Sequence, residues 1–111
     1  MLRLAAVRKV VWPVTVSSPE NGGHVEKETF DVEFEVLDQD AMDALVRGGE
    51  DLLERVVVGW PDSRGPTDQD GKRVTFSPLG KAQLINVTYA RRALFDAYSE
   101  IQQGRAAARK N

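Results

Sequence analysis

The side chains of this chain that could carry catalysis or bind a metal are carboxylates and a single histidine. His24 directly follows Asn21, Gly22 and Gly23, a stretch typical of a turn, so we expect it to be an exposed histidine. There are no cysteines, which excludes disulfides, thiolate zinc sites and a cysteine nucleophile. The single histidine also excludes a metal site built on two histidines.

The carboxylates are numerous but do not fall at the spacing of a known site. Asp68, Asp70 and Gly71 resemble part of a calcium-binding loop, but its first and last ligands would then be Pro66 and Ser77, which cannot serve. This stretch is better explained as a turn. Nucleophile elbows, phosphate-binding loops and dinucleotide fingerprints are not found either. We therefore expect no enzymatic activity, no cofactor and no metal.

Two stretches of alternating residues predict a β-hairpin over residues 7–37. In the first, the inward positions are Val10, Trp12, Val14 and Val16. Pro13 lies on the opposite face, which predicts that this strand is an edge strand or is bulged there. Residues 17–23 are rich in turn formers and include an Asn-Gly pair.

The second stretch alternates apolar and acidic residues, which predicts one buried and one solvated face. Its apolar positions are Phe30, Val32, Phe34 and Val36, and its acidic positions are Asp31, Glu33 and Glu35. The acidic face is either a docking surface for a basic partner or simply a solvated face that discourages aggregation.

Helices are predicted for most of the remaining chain. Residues 39–60 form a helical segment with an Asp38 cap, either one helix kinked at a glycine pair or two short helices. Residues 61–76 are a loop. Residues 77–103 hold two helices, the first capped by Ser77 with Leu79, Ala82 and Ile85 inward, the second capped by Thr88. Residues 104–111 are a short basic tail that we expect to fray.

These elements predict an α+β fold, in which an N-terminal antiparallel hairpin is followed by three to four helices. The length of 111 residues predicts a single domain over 1–111. An isolated two-stranded hairpin is marginally stable in water. We therefore expect this one to lie on the helices and to be extended by a short third strand or by another copy of the chain.

The charge distribution favours a protein partner over nucleic acid. The formal net charge is −2, whereas nucleic-acid-binding domains are basic. Residues 1–60 carry a net charge of −6 and residues 61–111 a net charge of +4. This asymmetry would permit self-association. With no apolar run of 18 residues and no signal-peptide pattern, we expect a soluble, cytoplasmic, non-secreted chain.

Aromatic and arginine residues in the second half are the candidates for partner binding, because these residue types are enriched at interface hot spots. The candidates are Tyr89, Arg91, Arg92, Tyr98, Trp60 and Phe76. A core role is the simpler explanation for Trp60 and for the neighbouring Phe95.

The order of motifs in residues 24–103 resembles the small tail assembly chaperones of long-tailed bacteriophages and prophages. The resemblance is carried by three stretches in sequence: residues 56–60 (VVVGW), residues 70–78 (DGKRVTFSP) and residues 88–98 (TYARRALFDAY). In this family, a helix ending in Gly-Trp is followed by an Asp-Gly turn, a Phe-Ser segment and a last helix that begins near a tyrosine. The acidic alternating strand is similar too.

The resemblance implies a non-catalytic assembly factor in the cytoplasm of a bacterial host. Such proteins bind the long tape measure protein and help to bring tail tube subunits to it, and they leave before the virion is complete. Two alternatives are another phage morphogenesis component, such as a tail terminator or head–tail connector, and a generic bacterial adaptor domain.

Overall fold

A computed structural model describes residues 8–104 and residue 107 of the chain. The elements follow in the order β1 (Arg8–Glu20), β2 (His24–Val36), α1 (Gln39–Gly48), α2 (Leu52–Val56), β3 (Val57–Gly59), α3 (Pro78–Asn86) and α4 (Thr88–Gln102). The strands form one antiparallel sheet of order β1-β2-β3. This arrangement confirms the α+β fold and the hairpin with a short third strand.

The hairpin lies within the predicted 7–37 range, but its strands are longer and its turn is shorter than the sequence predicts. β1 and β2 stay in register from Arg8 opposite Val36 to Glu20 opposite His24. Only residues 21–23 form the turn, in which Gly22 and Gly23 both have a φ of +83°. Two consecutive positive φ values are readily adopted only by glycine, so this pair lets both strands continue to the turn. The turn formers at residues 17–20 are part of β1 instead.

The predicted helical segment over 39–60 is wrong at its end. α1 stops where Gly49 adopts a φ of +67° and donates its N–H to the carbonyls of Leu45 and Val46. Asp51 then caps a second short helix, so the two-helix alternative is the correct one. Residues 57–59 are not helical but form β3 beside β2. The run of β-branched valines favours this extended conformation once an open sheet edge is available.

The two C-terminal helices begin at residues 78 and 88. Ser77 caps α3 as predicted, accepting the Gly80 N–H at 3.0 Å. Thr88 is not a cap: it is the first residue of α4, and its predecessor Val87 occupies the cap position without a side-chain hydrogen bond.

The inward face of α3 also differs from the prediction. Leu79 is 68% exposed and Ala82 is exposed, whereas Ile85 is buried as expected. A Cβ atom added at Gly80 would lie 3.3 Å from the Thr75 carbonyl oxygen. The preceding segment therefore approaches the helix closely at residue 80, where glycine faces inward. Leu79, one residue earlier, faces outward.

The core lies between one face of the sheet and α4, which packs chiefly against β1. The sheet contributes its predicted apolar positions, and the helices contribute the inner sides of α2, α3 and α4. The largest fully buried side chains are Tyr98, Phe34, Leu53, Leu94, Val14, Val32, Val56 and Val57. Among the described residues, no helix is long and apolar enough to cross a membrane. The predicted basic tail over 104–111 lies mostly outside the described residues.

Candidate interaction site

The outer edge of β1 presents backbone hydrogen-bonding groups away from the sheet. On the far side of β2, the Asp31 N–H donates to the Arg64 carbonyl oxygen at 2.8 Å. In an antiparallel pair of strands, two directly opposite residues either both direct their N–H and C=O groups toward each other or both direct them away. Pro13 is opposite Asp31, so Pro13, Thr15 and Ser17 direct their backbone groups outward. The prediction that Pro13 marks an edge strand is confirmed within the described part of the chain.

Helix α4 runs beside this edge and leaves a groove of about 170 Å³, which we call the edge groove. On the strand side it is lined by Pro13, Thr15, Ser17 and Lys27. On the helix side it is lined by Ala93, Asp96, Ala97 and Glu100. The strand therefore contributes main-chain groups to the groove, and the helix contributes small and acidic side chains.

A hydrogen bond joins the β1 side of the groove to α4. The Trp12 indole N–H donates to the Glu100 carboxylate at 3.0 Å. Across the sheet from Thr15, the hydroxyls of Thr15 and Thr29 share a hydrogen bond of 3.0 Å. Val14 is buried beneath the helix. The groove is thus part of the packed fold, although its opening faces solvent.

Two of the predicted partner-binding residues lie along α4 next to the edge groove. Tyr89 is one turn before Ala93, and Arg92 is one turn before Asp96, so helical spacing aligns them with the groove wall. Tyr89 is 41% exposed. The Arg92 side chain is 81% exposed, and its pairing with Asp96 at 3.5 Å is a surface contact of little energetic value. Both residues are accessible to a partner.

Arg91 is instead held by contacts within the chain. Its guanidinium pairs with the Asp51 carboxylate at 2.9 Å and lies 5.2 Å from the centre of the Phe95 ring. Asp51 also caps α2 by accepting the Leu53 N–H at 3.0 Å. Arg91 therefore joins α4 to the start of α2, which is a structural role.

Of the four predicted aromatics, Trp60 and Tyr98 are buried, Phe76 is half-buried against the core, and only Tyr89 is exposed. Trp60 is 6% exposed, donates its indole N–H to the Val74 carbonyl oxygen at 2.7 Å, and meets Phe76 edge-on at 4.8 Å between ring centres. Tyr98 is 1% exposed. Aromatic side chains carry a large apolar area, which favours their burial in a core and at an interface alike. Residue type alone could not distinguish the two uses.

The Tyr98 hydroxyl lies between α4 and the end of β2. It accepts the Leu37 N–H and donates to the Glu35 carbonyl oxygen, each at 3.0 Å. Burial raises the pKa of the Tyr98 hydroxyl above its usual value of 10.0, and the Glu35 carboxylate adds to this. The Leu37 N–H and the Arg55 guanidinium oppose that increase. The hydroxyl thus fastens α4 to the end of β2.

Two of the three carboxylates on the acidic face of β2 are paired with arginines of the same chain. Asp31 pairs with Arg64 at 3.1 Å, and Glu35 pairs with Arg55 of α2. Of the two explanations for this face, docking of a basic partner would require these internal pairs to break. Exposed acidic side chains lie on the distal part of the hairpin, on α1 and α2, in the 61–76 loop and at Asp96 of α4.

The distal part of the hairpin, residues 17–28, extends beyond the core, and we call it the arm. Nearly all of its side chains are exposed, including His24, and Val25 is 59% exposed. The loop carboxylate at Asp68 accepts the N–H groups of Asp70 and Lys72, which is turn chemistry as expected. Within the described residues, no group of three or more potential metal ligands is brought together.

Comparisons with protein-family models, with curated proteins and with solved structures found no match for this chain. Function is therefore inferred from the geometry of the edge groove and from the resemblance seen in the sequence.

Proposed function

We propose that this protein is a tail assembly chaperone of a long-tailed phage or prophage that binds another polypeptide without catalysing a reaction. Its main partner in this proposal is the tape measure protein, to which it helps to recruit tail tube subunits in the host cytoplasm. The observation that supports the proposal best is the edge groove, where an open sheet edge and a helix form a surface suited to a peptide segment.

Reversible binding fits the chemistry of this surface. A chaperone that leaves the finished particle needs contacts that can be exchanged for water at small cost. The edge groove combines outward main-chain groups at Thr15 and Ser17 with carboxylates at Asp96 and Glu100. Such a polar, solvent-accessible surface is typical of non-obligate interfaces, whereas permanent interfaces resemble a core cut in half.

The arm supplies a second surface for the same task. Because both faces of residues 17–28 are exposed, the arm can contact a partner that lies along the edge groove and continues toward the hairpin turn. It is attached to the packed region by an uninterrupted ladder of paired residues. A long partner would thus be bound along a continuous line of strand.

Co-expression with the tape measure and tail tube proteins of the same phage tests the proposal. A tagged form of this chain is expected to retain the tape measure protein through affinity purification and to increase its soluble fraction. The capsid protein of that phage serves as the negative control.

The composition of purified tails separates the alternatives. A chaperone is expected to be missing from finished particles, whereas a terminator or connector is present at a fixed copy number. Failure to retain the tape measure protein, or a fixed copy number in tails, would reject the chaperone function.

A further inference from the structure

We propose that the edge groove binds an extended segment of the partner as a strand added to β1, and that this segment carries lysine or arginine side chains facing α4. This inference rests on the proposed function, because the segment belongs to the bound polypeptide. It goes further by naming the binding mode and the chemistry of the segment.

The main-chain groups of β1 provide the hydrogen bonds for an added strand. Thr15 and Ser17 each direct an N–H and a carbonyl group outward, and Pro13 directs a carbonyl group only. A strand paired at alternate residues can therefore bond to all three positions. Main-chain pairing of this kind supplies affinity without requiring a particular sequence.

The helix wall leaves room for the side chains of that strand. Ala93 and Ala97 are one turn apart on α4 and both line the edge groove. Because alanine side chains are short, they leave space between the helix and the β1 edge. Side chains of an added strand that point toward α4 would enter the space between the two.

Charge determines which side chains suit this space. Asp96 and Glu100 lie on the groove wall one turn apart, with Lys27 on the strand side. Asp96 forms the exposed surface pair with Arg92, and Glu100 accepts the Trp12 indole N–H. Farther along the same face of the sheet, the arm carries Glu20 and Glu26. These carboxylates outnumber the cations Lys27 and Arg92, so a segment with basic side chains on its α4 side would be attracted, whereas an acidic segment would be repelled.

A second copy of this chain is a poorer occupant. If two β1 strands paired across a twofold axis near Pro13, two prolines would face each other and neither could donate a hydrogen bond. The same arrangement would bring the acidic walls at Asp96 and Glu100 of both copies together. Both features disfavour self-pairing and favour a basic partner.

Two substitutions with matched controls test the inference. Thr15→Pro removes the outward N–H while keeping an edge strand, and Thr15→Val removes the hydroxyl but keeps the N–H. Asp96→Lys reverses a charge at a largely exposed helix position, and Asp62→Lys makes the same change in the exposed 61–64 turn.

The probe is a synthetic peptide of about nine residues with alternating threonine and lysine, compared with its threonine–glutamate counterpart. In an NMR titration, the lysine peptide is expected to shift the amide signals of Thr15, Ser17 and Ala97 and to slow hydrogen exchange at the two strand amides. Thr15→Pro and Asp96→Lys are each expected to weaken binding about tenfold, the equivalent of one lost hydrogen bond. Both control variants should bind as the unmodified chain does.

Three results would overturn the inference. Equal binding of the glutamate peptide would reject the charge argument. Unchanged affinity in both Thr15→Pro and Asp96→Lys would reject the groove as the binding site. A dimer in light scattering that becomes monomeric with Thr15→Pro would identify a second copy as the occupant.

The purification experiment separates this inference from the proposed function. If both variants retain the tape measure protein as well as the unmodified chain does, the groove is rejected and the chaperone function stands. If the unmodified chain takes up the lysine peptide in the edge groove but does not retain the tape measure protein, the chaperone function is rejected and the preference of the groove is supported.

Discussion

Removing the Tyr98 hydroxyl should destabilise the fold without creating a cavity. In Tyr98→Phe the ring remains, and with it the contact to Phe34 at 5.7 Å between ring centres. The change deletes the acceptor of the Leu37 N–H and the donor to the Glu35 carbonyl oxygen. The substitution therefore tests whether this hydroxyl fastens α4 to the end of β2.

The expected loss follows from the two main-chain groups left without their partner. An unsatisfied buried polar group costs about 1–3 kcal/mol. Leu37 and Glu35 are only half-buried, so water can replace part of each bond, and we expect a total of about 1–2 kcal/mol. For a domain of this size, that corresponds to a decrease in Tm of roughly 4–10 °C.

Urea unfolding followed by circular dichroism measures this loss, with Tyr89→Phe as the matched control. Tyr89 is 41% exposed, so its hydroxyl can exchange the chain for water at little cost, and its removal should leave the free energy of unfolding unchanged. Equal stability of the two variants, both close to the unmodified chain, would show that the Tyr98 hydroxyl does not fasten the helix.

The same variant predicts a difference at alkaline pH. Because burial raises the pKa of the Tyr98 hydroxyl in the folded state, the unfolded chain releases this proton first as the pH rises past 10.0. The stability contributed by the neutral hydroxyl is complete below that pH and is lost as the pH rises through the folded-state pKa. The stability difference between the unmodified chain and Tyr98→Phe should therefore shrink above pH 10. A constant difference up to pH 11.5 or so would contradict the raised pKa.

Four further substitutions test the packing, the turns and an ion pair. Gly65→Ala would place a Cβ atom 2.8 Å from Trp60 Nε1, so we expect a loss of about 1–3 kcal/mol and an altered near-ultraviolet signal from the indole. Gly49→Ala should lower the free energy of unfolding by about 1 kcal/mol, because the φ of residue 49 is +67°. Gly48→Ala, within α1, should raise the free energy of unfolding by about 0.5–1 kcal/mol, and urea unfolding of both variants measures the two changes. Arg91→Ala should lower the free energy of unfolding by about 1 kcal/mol, because it removes the ion pair with Asp51. In 1 M salt the screening length falls to about 3 Å, so a loss of stability that is as large there as at low salt would contradict an ion-pair contribution.

Local patterns predicted the hairpin because the alternation of apolar and polar residues that specifies a strand can be seen within a few neighbouring residues. Val14 and Val32 are buried as their alternation predicted, and Pro13 is on an edge because proline cannot donate within a central strand. The helix caps at Asp38 and Ser77 form as expected, since each needs only an oxygen within reach of the next turn.

The failures occur where a distant segment changes the local preference. Residues 57–59 fit the periodicity of the preceding helix, but the free side of β2 makes an extended strand more favourable. Leu79 fits a buried position by residue type, and it is exposed because the backbone near Thr75 approaches Gly80. Neither approach is encoded in the neighbouring residues.

The candidate site shows the same division. Residue types indicated aromatics and arginines, and the sequence could not tell that Tyr98 and Trp60 are buried or that Arg91 is bound to Asp51. The edge groove was not predicted, because it forms between residues 13–17 and residues 93–100, which only folding brings together. The one signal that could have indicated it was Pro13, which marked the edge.

Composition and periodicity by themselves determined the fold class, the hairpin, the caps at Asp38 and Ser77 and the exclusion of cysteine chemistry, since all of these depend on residue types and short-range spacing. The tertiary structure decided which aromatics are buried, which charges are paired and where, among residues 8–104, a strand edge lies open beside a helix. These features depend on packing between segments far apart in the chain, and the free energy of that packing is a property of the assembled core rather than of any one stretch.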